Sequence, residues 1–433
     1  MKDSIGKFSQ ILLALLLMPV FYLPRYGLID WSWAYALSGC LILIMFLSSL
    51  NFVLEEILII LMCLAVLVLS ALQISLNGLG DVSSLYYPAR AARSLVVLIF
   101  AKLVIDRFSS RLSATDLLMS LLLVGIPHFL AIFLQRMPYL GLNDIGALMN
   151  LQEVADPRGG WRSIGLSTGN DLAGVLVTLF GFLAVIILLM SQQSSWINKF
   201  FCWIILIAWV PALLVTSRTG QVTLLFGLLI MVFIIPRIQL VTLVKMANLY
   251  LVWLMPIFTS ACVALYFYGG QNIKYAIHVT VEPLRRAMQG YGISTGSSDD
   301  MLKNHYRLPP FDWSVLTGDI SRTFQEVGVM VSDVSYVQIL NALGLIGLLG
   351  ILICSLSLIV VALLNLRSSR DQSVKQTAAV VVISGVVIMI GSLKGPYLFS
   401  RQLFDFWLIA TAMLSTVFLR SSQISAVGVR SHA

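Results

Sequence analysis

Residues 196–235 read WINKFFCWIILIAWVPALLVTSRTGQVTLLFGLLIMVFII. Two apolar runs, each close to the roughly 20 residues that cross a bilayer as a helix, are parted only by Thr216-Ser217-Arg218-Thr219-Gly220. So short a break makes the runs antiparallel neighbours and holds the Arg218 charge at the lip of the membrane. The apolar residues are continuous and do not alternate in segments of about 10, which argues against a barrel. In lipid such runs satisfy their backbone groups as helices.

The same pattern extends in both directions. Candidate spans fall at 8–24, 31–50, 56–76, 89–105, 116–135, 171–190, 197–216, 219–235, 249–268, 335–365, 376–393 and 403–420, so the expected fold is all-α, polytopic, with about twelve transmembrane helices. Composition agrees. Of 433 residues 59% are hydrophobic and 11% charged, against about 25% charged in soluble domains, and the mean hydropathy is +0.93. The net charge of +8 would suggest nucleic acid in a soluble domain, but the basic residues sit at the ends of apolar runs, as topology and headgroup charges do; no nucleic-acid partner is expected. Cys40, Cys63, Cys202, Cys262 and Cys354 lie inside apolar runs without paired spacing, so neither a disulfide framework nor a metal cage is implied. Lys2 and Lys7 precede a run that resembles a signal peptide, yet Pro19 and Pro24 follow and Ala34 and Ala36 come too late for cleavage; it reads as a retained first span.

With the N-terminus in the cytoplasm, the inner loops carry Lys2, Lys7, Lys102, Arg107, Arg111, Lys199, Arg237, Lys245, Arg367, Arg370, Lys375, Arg420 and Arg430. The positive-inside rule therefore places both termini inside. Two longer segments, 136–170 and 269–334, then face out. The second, between expected helices 9 and 10, is too long for an ordinary connection. It holds Tyr275, Phe311, Trp313 and Phe324 among its charges, which is not a disordered composition. Residues 275–289 suit a short amphipathic helix carrying Arg285 and Arg286, ended by Gly290 and Gly292.

Apart from His128, almost no ionisable group falls near the middle of a span, whereas ion-coupled transport draws on such groups. His128 reads as a histidine satisfied by a neighbouring backbone carbonyl, with a proton relay as the alternative. The outer face instead collects Arg90, Arg93, Arg136, Arg158, Arg162, Arg218, Arg285, Arg286, Arg307, Arg322 and Arg401. Arginine offers a planar fork suited to phosphate, so a lipid-borne phosphate or pyrophosphate is the expected partner; interface anchoring accounts for many of them equally well. Arg218 stands out, because a tight hairpin places a helix N-terminus beside it.

Several short motifs follow in order at this face: Arg162-Ser163-Ile164-Gly165, then Gly169-Asn170-Asp171-Leu172-Ala173 entering a span, then Ser217-Arg218-Thr219-Gly220. After the long loop comes Asp333-Val334-Ser335-Tyr336-Val337-Gln338, leading into a run with Gly344, Gly347 and Gly350. In these features residues 160–365 of the single 1–433 membrane domain resemble the core of the Wzy-type O-antigen and exopolysaccharide polymerases, a family that shares a fold with the O-antigen ligases. The resemblance implies a glycosyltransferase of the bacterial inner membrane without metal or cofactor. Its donor and acceptor would be undecaprenyl-pyrophosphate-linked oligosaccharides, and a chain-length regulator protein would accompany it. Arg218 matches the family's first pyrophosphate-binding arginine and Arg285 or Arg286 the second. Where the ligases place a histidine at the start of the helix after the loop, this chain has Asp333, which favours the polymerase over the ligase.

The chemistry asks for charge on the departing pyrophosphate to be stabilised and a proton to be taken from the attacking hydroxyl. Arg218 suits the first task and Asp333 the second, although Asp333, or Ser332, reads equally as a cap of the following helix. Arg162 and Arg322 are further phosphate candidates, and His305 between Lys303 and Arg307 is a base, a phosphate ligand or a solvated loop histidine. Tyr336, one turn into the helix, is a candidate site wall. The run 335–366 is longer than one span and too short for two, so one tilted or outward-projecting helix is expected. A polysaccharide flippase or transporter is the alternative from another class.

Overall fold

The protein is described by a computed structural model that covers residues 2–23, 25–26, 29–44, 51–78, 82–135, 165–167, 170–191, 195–235, 313–320 and 334–430, with residues 244, 248, 285–286, 288–289, 303 and 306 in addition. In chain order the helices are α1 (Lys2–Tyr22), α2 (Trp31–Ile44), α3 (Leu54–Asn77), α4 (Tyr86–Ser109), α5 (Ala114–Leu134), α6 (Asn170–Met190), α7 (Trp196–Thr216), α8 (Arg218–Ile234), the short α9 (Trp313–Thr317), α10 (Ser335–Ser368), α11 (Gln372–Gly391) and α12 (Leu403–Arg430). A two-residue antiparallel pair, β1 (Arg25–Tyr26) and β2 (Ile29–Asp30), joins α1 to α2. Every expected span falls on a helix except 249–268, which lies outside the described residues.

Among the described residues seven helices, α3, α5, α6, α7, α10, α11 and α12, are long and apolar enough to cross a membrane, and α1, α2 and α8 hold shorter apolar segments. The chain is thus a polytopic helical membrane protein. Serine and aspartate side chains start several helices by accepting the backbone donors that no turn yet satisfies: Ser113 from the Asp116 amide, Ser195 from that of Asn198, Ser217 from that of Gly220 and Asp371 from that of Ser373. Pro19, Pro127 and Pro211 lie within helices, where the surrounding bundle tolerates them.

The centre of the bundle is α6, with 94% of its apolar window buried, flanked by α7, α8 and α11. Glycines let the helices close on it. A Cβ at Gly181 would lie 2.0 Å from the Trp209 ring of α7, and one at Gly220 of α8 would lie 2.6 Å from the Gly174 backbone; such close approach is the small-residue packing expected where lipid supplies no hydrophobic drive. By contrast α10 is only 33% buried and turns Ile346, Ile353, Val360 and Leu364 outward.

Two features depart from the sequence reading. First, α10 is not one uninterrupted helix: Gly344 has φ 69° and ψ −175°, which divides it, a conformation only glycine adopts cheaply. Helix α9 lodges at the break, with the Asp319 amide donating to the Asn341 carbonyl at 2.8 Å and the Gln73 side-chain amide donating to the Thr317 carbonyl. Part of the segment expected as an outer loop therefore packs on α10 and α3. Second, charges do occur inside the bundle. On α4, Lys102 is fully buried against Glu56 (3.5 Å) and Asp106 (3.4 Å), and donates to Ser415 at 2.8 Å. Arg93, two turns into α4, forms a two-pronged pair with the buried Asp405 of α12 at 2.7 and 2.8 Å. Each charge is compensated within its own cluster, which is what a low-dielectric interior demands.

Candidate functional site

The break between α7 and α8 is built by Ser217. Its backbone is extended (φ −152°, ψ 154°), and its hydroxyl accepts the Gly220 amide at 3.2 Å and is 3.4 Å from the Asp171 carbonyl of α6. Arg218 is consequently the first helical residue of α8. Below it Thr178 of α6 donates to the Gly220 carbonyl at 3.0 Å, so the N-termini of α6 and α8 are locked side by side. The Asp171 carboxylate then faces Lys394, in the turn after α11, at 3.9 Å.

The α11 turn brings in a third helix start. The Ser335 amide, first in α10, donates to the Ser392 carbonyl at 3.2 Å, and the Tyr336 hydroxyl donates to the Met389 carbonyl at 2.7 Å. From the long segment, the Tyr306 hydroxyl donates to the Leu393 carbonyl; burial pushes this phenol above its ordinary value. Three helix N-termini, of α6, α8 and α10, thus meet around the α11 turn at one end of the bundle. Each helix start carries a partial positive charge, which favours anions.

A second set of contacts roofs the same end. Gln135, at the end of α5, clamps Gly165 with both amide atoms, accepting its N–H at 3.0 Å and donating to its carbonyl at 3.1 Å. His128 Nδ1 accepts the Leu166 amide at 3.1 Å, and Gln402 donates to the Leu166 carbonyl at 2.7 Å and to the Phe21 carbonyl at 2.9 Å. Gly165 has φ 57°, and a Cβ there would press to 2.8 Å on the His128 ring. His128 is fully buried and stacked 6.3 Å from Tyr22; with its Nδ1 taken by a backbone amide, its place is in the scaffold.

Of the residues picked from sequence, Arg218 and Tyr336 come to this end together. Arg285 and Arg286 share a helical turn in which the Gln289 amide donates to the Arg285 carbonyl at 3.0 Å; Arg285 is exposed and Arg286 half-buried. Arg162, His305, Arg322 and Asp333 lie outside the described residues, although the neighbouring Val334 occupies the cap position of α10 without a side-chain hydrogen bond. Three of the outer arginines already have protein partners. Arg93 binds Asp405 and Asp30, Arg401 lies 3.5 Å from Asp30, and Arg90 covers the Tyr86 ring at 3.8 Å. Lys394, Gln135 and Gln402 were not singled out by sequence reasoning. Their partners are far along the chain, and only the Asn170-Asp171 pair at a helix start hinted at the arrangement.

No protein-family model matches the chain, and no curated protein matches it significantly.

Proposed function

We propose that this chain is a polysaccharide polymerase of the bacterial inner membrane, with both termini in the cytoplasm and the Arg218 end facing outward. It transfers a growing undecaprenyl-pyrophosphate-linked glycan onto a new lipid-linked oligosaccharide repeat. The observation that supports this reading is the meeting of the α6, α8 and α10 N-termini around Arg218 and the α11 turn. A membrane-edge site where three helix N-termini meet beside Lys394 suits a diphosphate whose tail stays in the bilayer.

In the reaction an acceptor hydroxyl oxygen attacks the anomeric carbon of the donor glycan. The bond from that carbon to the pyrophosphate oxygen breaks, the proton passes to a carboxylate, and undecaprenyl pyrophosphate leaves with the electron pair. Arg218 and either Arg285 or Arg286 stabilise the leaving charge. Asp333, directly before the α10 cap, is the proposed base, and Tyr336 walls the acceptor sugar. Arg162, Arg322 and His305 complete the substrate-binding set. The buried charges of α4 do not favour a transporter, since each is paired.

The test is reconstitution of the purified chain in liposomes with undecaprenyl-pyrophosphate repeat units, followed by gel analysis. A ladder from the native chain, lost in Arg218→Ala and Asp333→Asn, is expected. Transfer only after a lipid A core acceptor is added would replace this reading with that of an O-antigen ligase, and movement of the lipid-linked repeat across the bilayer without transfer would replace it with a flippase.

A further inference from the structure

Helix α10 is broken where α9 meets it, and the hydrogen bonds at that contact are of a kind that can be exchanged. In an unbroken helix the Asn341 carbonyl accepts from the amide four residues on, that of Leu345. Gly344, at φ 69° and ψ −175°, turns that amide away, and the Asn341 carbonyl accepts from Asp319, just after α9, at 2.8 Å. Gly318 stands opposite with φ 76°, so close that a Cβ on either glycine would run into the backbone of the other. Both glycines are buried, and Gln73 of α3, 3% exposed, donates to the Thr317 carbonyl. The local sequence does not itself ask for a break. Residues 335–366 hold no proline and no charge, and glycine takes left-handed angles about as readily as right-handed ones. Without α9, carbonyls at the break would face apolar surroundings with no donor, which a chain in lipid avoids.

We infer that α9 is a removable wedge and that α10 has two forms, broken at Gly344 with α9 inserted and continuous with α9 withdrawn. On withdrawal Gly344 takes helical angles, the Leu345 amide returns to the Asn341 carbonyl, and the Asp319 amide passes to water. Two packings that each satisfy the backbone are what a switching element needs. Gln73 latches the inserted form. The first turn of α10 moves with the change, because the break separates it from the rest of the helix. There the Ser335 amide and the Tyr336 hydroxyl are bonded to the Ser392 and Met389 carbonyls of α11 and its turn. The wedge thereby ties the segment that precedes α10 to the geometry of the α11 turn. The device is independent of the chemistry proposed for the Arg218 end.

The experiment is hydrogen–deuterium exchange of the detergent-solubilised full chain, read by mass spectrometry on residues 313–320 and 341–348. In the native chain 341–348 is expected to exchange about tenfold faster than 351–358 further along α10, because amides at the break lack helical acceptors. Gln73→Leu removes the latch, Gly318→Ala blocks insertion, and Gly344→Ala favours the continuous form. In each variant 313–320 is expected to exchange about tenfold faster than in the native chain, and 341–348 several-fold slower. Opposite movement is the signature, since loosened packing alone would speed both stretches. Faster or unchanged exchange of 341–348 in the variants would overturn the inference and leave Gly344 a fixed kink. Unchanged exchange of 313–320 would overturn it as well, because α9 would then not be held by these contacts. Should the variants not fold, the native chain still decides: exchange of 341–348 as slow as that of 351–358 refutes a break that opens and closes.

Discussion

Removing Arg93 gives the sharpest test of how this bundle is held. Its guanidinium meets the fully buried Asp405 carboxylate at 2.7 and 2.8 Å, and also lies 3.3 Å from Asp30 and 3.1 Å from the Ser32 hydroxyl. At 2.7 Å the attraction of two unit charges is about 6 kcal/mol at an effective dielectric constant of about 20, most of it spent on desolvating both groups. In Arg93→Met, Asp405 keeps, among the described residues, only the Gln402 amide at 2.9 Å, and a buried charge stranded in this way costs about 3–5 kcal/mol. That corresponds to roughly two to three and a half decades in the unfolding equilibrium. Cys40, 5% exposed and bonded through its thiol to the Val96 carbonyl of α4, reports the loss through its alkylation rate as the fraction of denaturing detergent is raised. The double variant Arg93→Met/Asp405→Asn removes both charges while an amide oxygen still accepts from Gln402, and is expected to be more stable than Arg93→Met alone. A single-variant cost below about 1 kcal/mol, or a double variant whose loss equals the sum of the singles, would refute the reasoning.

Further outcomes follow from the same geometry. Gly220→Ala puts a Cβ 2.6 Å from the Gly174 backbone and is expected to cost about 1–3 kcal/mol by overpacking, whereas Gly350→Ala, which meets nothing within 4 Å, leaves the detergent-unfolding midpoint unchanged. Gly344→Ala cannot keep φ 69° without strain and meets the Leu316 carbonyl at 2.3 Å; limited proteolysis should cut the variant near α9 well before the native chain. Burial acts to raise the Asp30 carboxyl, but Arg401, Arg93 and the Ser32 hydrogen bonds outweigh it and hold the group below its ordinary 3.8. Its contribution is therefore complete above about pH 4 and lost as pH falls through the lower folded value, so acid titration of stability should be shallower there in Asp30→Asn. On the proposed polymerase reading, Gln135→Leu, which releases the Gly165 clamp, is expected to cut glycan-chain growth at least tenfold with normal membrane insertion, read from ladder intensity against protein in the membrane fraction.

What could be read without coordinates was whatever the bilayer itself enforces. A continuous apolar run in lipid is a helix, so the α7–α8 hairpin, though not its Ser217 cap, was legible from Thr216 to Gly220. The break at Gly344 was not, because hydropathy carries no information about the sign of φ. Nor was the pairing of Arg93 with Asp405, 312 positions apart, since an arginine near a span end looks the same whether it reaches for solvent or for a buried carboxylate. The candidate site shows the same division. Arg218 and Tyr336 announced themselves through local motifs, while the placement of Lys394 opposite Asp171 depends on how α11 descends beside α6.

The burial of α6 also bears on how the chain is made. This helix has a mean hydropathy of 2.9 over its most apolar window, equal to that of the far more exposed α3, although in the finished bundle it meets almost only protein. Its apolarity serves the moment of insertion, when it stands alone in lipid as the ribosome continues. Relief comes quickly, because the helices that fit its notches, Trp209 of α7 on Gly181 and Gly220 of α8 on Gly174, are the next two to emerge. A three-helix nucleus can thus assemble while more than a third of the chain is still unsynthesised, and α11 and α12 dock last on a surface already shaped to receive them.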